Sequence, residues 1–96
     1  MPHHSTYNAG LKFRPAPARA HWESLDDGAE LTLEAEPSNK YDRYAVKLIS
    51  GEHHVGYVPK DLSMEIAKRL ADGCIERVVK RGGSKIEIHY TPKGVR

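Results

Sequence analysis

The chain has 96 residues with 15 Lys and Arg against 13 Asp and Glu, a formal net charge of +2. That is room for one domain and one core burying about 60–65% of its unfolded surface, which argues against a large internal active site, and a charge so near balance requires a local patch for any binding of nucleic acid. One cysteine, Cys74, excludes an internal disulfide framework; no apolar run approaches the roughly 18 residues of a membrane span, and Met1-Pro2-His3-His4 opens no signal-peptide hydrophobic region, so the cytoplasm is the expected location.

Residues 1 to 6 read as a polar, flexible lead-in. Tyr7, Ala9, Leu11 and Phe13 then alternate with Asn8, Gly10 and Lys12 as a half-buried strand does. Pro15 and Pro17, which lack a backbone donor, stop it. Residues 18 to 25 read as a weakly helical or single-turn connector anchored in the core by Trp22, and Asp27-Gly28 turns the chain. Leu31 and Leu33 begin a second strand that Pro37 ends. From Pro37 to Asp42 every residue but Tyr41 is a turn former, which predicts an ordered loop. Residues 45 to 49 and 54 to 58 are short apolar strands around Gly51-Glu52, a hairpin.

Leu62, Ile66 and Leu70 recur every four residues between Asp61, at an N-cap position, and Gly73, at a C′ position. This is one amphipathic helix of about three turns. Residues 74 to 80 and 85 to 90 are strands joined by Arg81-Gly82-Gly83-Ser84, with Ile86, Ile88 and Tyr90 alternating against Lys85, Glu87 and His89. The expected fold is mainly β with one amphipathic helix: about six short strands in a small curled or barrel-like sheet plugged by that helix. Trp22, Leu33, Val46 and Leu70 are its expected core, residues 1–96 form a single domain, and residues 91 to 96 are a second flexible end.

The segment Glu36-Pro37-Ser38-Asn39-Lys40-Tyr41-Asp42-Arg43-Tyr44-Ala45-Val46-Lys47-Leu48, followed by Val55-Gly56-Tyr57-Val58-Pro59, resembles the signature of the HIRAN family. There a strand ends in Glu-Pro-x-Asn-x-Tyr-Asp, turns into an Ala-hydrophobic-x-Val strand, and is answered by a Val-Gly-Tyr/His-hydrophobic strand leading into a helix. The resemblance covers roughly residues 8 to 90. It implies an OB-like barrel that captures single-stranded DNA ends without being an enzyme or needing a cofactor. Such domains stand alone in bacteria and phages or are fused to DNA translocases and nucleases, so a DNA-processing protein is an expected partner.

In the family the residue matching Asp42 is associated with the 3′-terminal hydroxyl. A loop carboxylate can accept a hydrogen bond from that hydroxyl and repels a phosphate in its place; equally, Asp42, like Asn39, can cap its own turn. Lys12, Phe13 and Arg14 fall where the family carries a basic residue and then aromatic residues that stack on the terminal bases. Here Arg14 replaces the second aromatic and Pro15 follows. An aromatic or guanidinium plane accepts any base, while Phe13 also continues the Tyr7, Ala9, Leu11 face and so is a core candidate. Lys60 matches a Lys that contacts the DNA backbone near a helix start, where free N–H groups favour phosphate. Tyr57 stands where some members have His; it either meets the strand or is half buried. Tyr41 reads more as a packing residue than a base platform, and Arg43 and Tyr44 extend the surface.

Other chemistries are poorly supported. His3, His4, His21, His53, His54, His89 and Cys74 show no zinc spacing, and adjacent histidines on a strand point to opposite faces. No serine has a nucleophile-elbow context, and no phosphate-cradling Gly-rich loop is present. Glu34, Glu36 and Asp42 straddle the Pro37 turn, which disfavours a nuclease metal cluster. The expected function is capture of single-stranded DNA at free 3′-hydroxyl ends, in a cleft between the Asp42 loop, the Phe13-Arg14 segment and Lys60. The alternative is a protein-interaction module that docks a peptide on an exposed sheet edge.

Overall fold

Burial alternates along four of the six strands, as a one-sided sheet requires. In the computed structural model, which describes residues 2–92, the elements run β1 (His3–Tyr7), a 3-10 turn (Leu11–Phe13), α1 (Ala16–Ser24), β2 (Glu30–Ala35), β3 (Val46–Ser50), β4 (His53–Tyr57), α2 (Lys60–Ala71), β5 (Ile75–Lys80) and β6 (Lys85–Tyr90). The six strands form one antiparallel sheet in the order β1-β6-β5-β2-β3-β4. Its inward side chains, Leu31, Leu33, Val46, Leu48, Val55, Val78, Ile86 and Ile88, join Trp22 of α1 and Ile66 of α2 in the core.

The sheet is curled but open, a half-barrel and not the closed OB-like barrel expected. Its edge strands β1 and β4 meet only through the residues after β1, where Ala9 and Tyr57 exchange two backbone hydrogen bonds of 2.9 Å each. Beside that bridge Asn8 is buried and its Nδ2 donates to the Val55 carbonyl at 3.0 Å. Gly56 permits this approach, since a Cβ there would lie 1.5 Å from Asn8 Oδ1.

Four expectations change at the N-terminal half. The lead-in is β1, whose His3 to Tyr7 pair with His89 to Lys85; the expected second flexible end falls partly outside the described residues. The expected strand through Phe13 does not form, because Gly10 takes a left-handed φ of 73° and the chain tightens into the 3-10 turn. The phase inverts with it: Asn8 is buried, whereas Phe13 is 79% exposed and is no core residue. The connector is a true helix, α1, begun by Pro15 at its N-cap and Pro17 in its first turn, where proline's missing donor costs nothing.

α1 is held at its far end by a buried lysine. Lys80 Nζ donates to the carbonyls of Trp22 at 2.6 Å and Leu25 at 2.9 Å and lies 4.8 Å from the Trp22 ring centroid. Trp22 Nε1 in turn donates to the Gly83 carbonyl at 3.2 Å. α2 begins with Pro59, not Asp61, at its N-cap; Asp61 sits in the first turn, where its charge suits the helix dipole, and Gly73 follows with φ 72°. Trp22, Leu33 and Val46 are core residues, while Leu70 is half buried and packs on the rim of the cluster.

Candidate nucleic-acid interface

The residues 36–45 between β2 and β3 form a closed circuit of hydrogen bonds. Ends of the loop meet where Glu36 N donates to Ala45 O at 2.8 Å. Asn39 Oδ1 accepts from the backbone N–H of Tyr41 at 2.9 Å and Asp42 at 3.1 Å, the turn-making use of Asn expected from sequence. Its Nδ2 donates to Glu36 Oε1 at 2.8 Å, and the Tyr57 hydroxyl donates to the same oxygen at 2.8 Å. The loop is thereby tied to β4.

Asp42 ties it to α2. Its Oδ1 accepts from Tyr44 N at 2.9 Å and its Oδ2 from the Ser63 hydroxyl at 2.6 Å. These two bonds, the Ser63 one foremost, and the nearby Lys60 charge hold its carboxyl below the usual range against the opposing effect of burial. Each oxygen takes one bond from the protein and retains a lone pair for another donor. Glu36 is lowered as well, chiefly by the bonds from Asn39 and Tyr57, and burial followed by the Glu36 contact raises the Tyr57 phenol. Both carboxylates are charged at neutral pH.

Between this loop, the Ala9–Gly10 segment and the start of α2 lies a cleft of about 230 Å³, lined by Ala9, Gly10, Asn39, Tyr41, Asp42, Ala45, Tyr57, Val58 and Lys60. Four residues singled out from sequence, Tyr41, Asp42, Tyr57 and Lys60, meet in it. Tyr41 is 77% exposed, with Lys40 Nζ 5.4 Å from its ring centroid, and is not the packing residue expected. Tyr57 is half buried, its hydroxyl engaged with Glu36 and its ring meeting His54 edge-on at 4.7 Å.

Lys12, Phe13, Arg14 and Arg43 are not among the residues lining this cleft. Arg14 Nε donates to the His54 carbonyl at 2.9 Å and so pins the 3-10 turn to β4. Phe13 projects into solvent with Lys12 Nζ 5.2 Å from its ring centroid. Arg43 leans on Tyr44, 5.0 Å from ring centroid to guanidinium carbon. Sequence reading missed Ser63, Ala9 and Gly10. Ser63 had a signal, a polar residue beside Leu62 and Ile66 on the apolar stripe of α2, which requires a partner when buried.

Glu34, Glu36 and Asp42 do not gather. Glu34 pairs with Lys47 at 2.7 Å, Glu36 lies 3.8 Å from the same amine, and Asp42 turns to Ser63. Among the described residues no three His, Cys, Asp or Glu side chains converge where a metal ion could sit.

Comparison with known proteins returns one fold. The family model described as the HIRAN domain matches residues 3–89. The Fanconi-associated nuclease 1 homolog of Arabidopsis thaliana is 31% identical over 90 residues, covering 86% of this chain but only 9% of that much longer protein. Among solved structures, the crystal structure of the HIRAN domain of human HLTF superposes with a TM-score of 0.74 at 17% identity, covering 92% of this chain and 74% of the other.

Proposed function

Because this chain belongs to the HIRAN domain family, we propose that it is a binding module that captures single-stranded DNA at a free 3′-hydroxyl end in the Asp42 cleft. The observation that carries this reading is the Asp42 carboxylate, held charged and in place by Ser63 and Tyr44, with spare acceptor capacity toward a cleft that also holds Tyr41, Tyr57 and Lys60. A terminal hydroxyl supplies the donor such a carboxylate lacks. Lys60, at the N-terminus of α2, faces the phosphate one step inward, and the exposed Tyr41 ring offers a base platform. Phe13, Lys12, Arg14 and Arg43 flank this cleft as outer contacts. The partner of the module is a DNA-processing protein to which it presents the end.

Fluorescence anisotropy with labelled single-stranded and blunt duplex oligonucleotides at two salt concentrations tests this. Few cations serve the cleft, so the reading requires single-strand preference with a shallow salt slope of about two to three phosphates. Binding that ignores salt, or none at low salt, would transfer the function to peptide docking on a sheet edge.

A further inference from the structure

A second and larger cleft, of about 480 Å³, is lined by Ser5, Thr6, Tyr7, Arg81, Lys85, Ile86 and Glu87. Its floor is the outer side of the β1–β6 pair, where Tyr7 lies opposite Lys85 and Ser5 opposite Glu87. Paired residues share a face of the sheet, so an aromatic ring, an ammonium and a hydroxyl point the same way. Tyr7 is 54% exposed. Lys85 is exposed and makes no side-chain hydrogen bond or ion pair among the described residues. Arg81 is held at the wall by Glu87 at 3.3 Å and Asp27 at 3.8 Å. The one carboxylate on this floor, Glu87, is thus already engaged, by Arg81 and by His89 at 3.1 Å.

The two clefts share a strand of backbone. Tyr7 and Ala9 stand two residues apart on the same side, with buried Asn8 turned inward between them. Ala9 bridges to Tyr57 and lines the first cleft, as Tyr7 lines the second. In extended backbone that step is about 7 Å, one or two nucleotides of a strand. We infer that the β1–β6 cleft is an extension of the binding surface, on which nucleotides 5′ to the captured end stack on Tyr7 and set a phosphate against Lys85. This rests on the 3′-end reading, and it adds a length requirement that end capture alone does not have.

The test is affinity against length for 5′-labelled, 3′-hydroxyl oligonucleotides of three, six and ten nucleotides, with the wild-type protein and with Tyr7→Ala and Lys85→Glu, both at exposed positions. The wild type should gain at least about fivefold from three to six nucleotides, the size of one stacked base, and little beyond. Each variant should lose most of that gain, while its affinity for the three-nucleotide strand and its ratio between 3′-hydroxyl and 3′-phosphate ends stay as in wild type. A wild type with no length dependence, variants that keep the gain, or variants that weaken all lengths alike would overturn the extension and leave end capture standing. Absence of wild-type binding at every length would remove end capture and the extension together.

Discussion

The Ser63 hydroxyl, on the buried side of α2, donates to Asp42 Oδ2 at 2.6 Å, and this bond docks the loop of the proposed end-reading site onto the helix behind it. The Lys60 carbonyl lies 3.0 Å from the same hydroxyl, which has only one proton; the charged and closer carboxylate takes it. Ser63→Ala should therefore cost about 1.5–3 kcal/mol of stability, the usual value of a hydrogen bond to a charged group. It should also raise the Asp42 pKa toward its ordinary value and weaken any discrimination between DNA ends. Urea denaturation with NMR titration of the Asp42 carboxyl reads both. An unshifted carboxyl in the variant would show that Ser63 does not hold it.

Acid should destabilise the protein in two stages. Burial, with the Arg14 charge second, holds His54 below its usual 6.5. A group whose folded pKa is depressed contributes stability in full above the unfolded value and loses it as pH falls through the folded value. Loss from His54 thus begins below about 6.5. Asp42, Glu36, Glu65 and Glu87 are also depressed, from ordinary values of 3.8 for the Asp and 4.5 for the Glu residues, so their contributions fade below those values. Melting temperatures from pH 8 to 3 should show both limbs, and His54→Gln should abolish the upper one alone. A flat profile between pH 7 and 5 in wild type would contradict the assignment to His54.

Lys80→Met should destabilise the domain by about 1–3 kcal/mol, because it removes the buried donor to the Trp22 carbonyl and leaves the half-buried Leu25 carbonyl at the end of α1 without its donor. The expected signature is early loss of amide protection in α1, ahead of the sheet, by hydrogen exchange. Uniform protection at wild-type stability would mean that α1 does not depend on the lysine.

Gly56→Ala places a methyl group on Asn8 Oδ1, and overpacking of this kind costs at least about 1–3 kcal/mol. Asn8→Ala alone also destabilises, since the Val55 carbonyl loses its donor. The double variant should be more stable than the sum of the single effects, because the smaller side chain vacates the space. Additive losses in the thermodynamic cycle would place the Gly56 requirement elsewhere.

Strands β2 to β6 and helix α2 were legible in the sequence to within a residue or two, through local alternation in β2, β3 and β6, a four-residue repeat in α2, and the Gly51 and Gly82-Gly83 turns that announce the hairpins. β1 was not. Its residues, His-His-Ser-Thr-Tyr, carry little apolar contrast, and its partner β6 lies some eighty residues later in the chain. The Tyr7 to Phe13 alternation misled because Gly10 breaks it, and a glycine in the polar phase of a strand looks the same as one at a left-handed turn. Pro17 read as a strand stop when it was a helix start. At the candidate site the signature segment located Tyr41, Asp42, Tyr57 and Lys60, whereas the contributions of Ala9, Gly10 and Ser63 come from tertiary closure between distant segments that no local pattern encodes.

Whether Asp42 reads the DNA end is decided by comparing matched single strands ending in a 3′-hydroxyl or a 3′-phosphate on wild type and on Asp42→Asn. The Asn variant can keep the bond from Tyr44 N, and Ser63 can accept from the new amide while donating to the Lys60 carbonyl at 3.0 Å, so a wild-type melting temperature is the control for an intact loop. Wild type should favour the hydroxyl end by at least about 1–3 kcal/mol, since a phosphate removes the donor and opposes two like charges. Asp42→Asn should narrow that gap mainly by weakening the hydroxyl-ended strand. Equal affinity of the wild-type protein for the two termini would rule out end reading and leave Asp42 as a residue that only shapes its own loop.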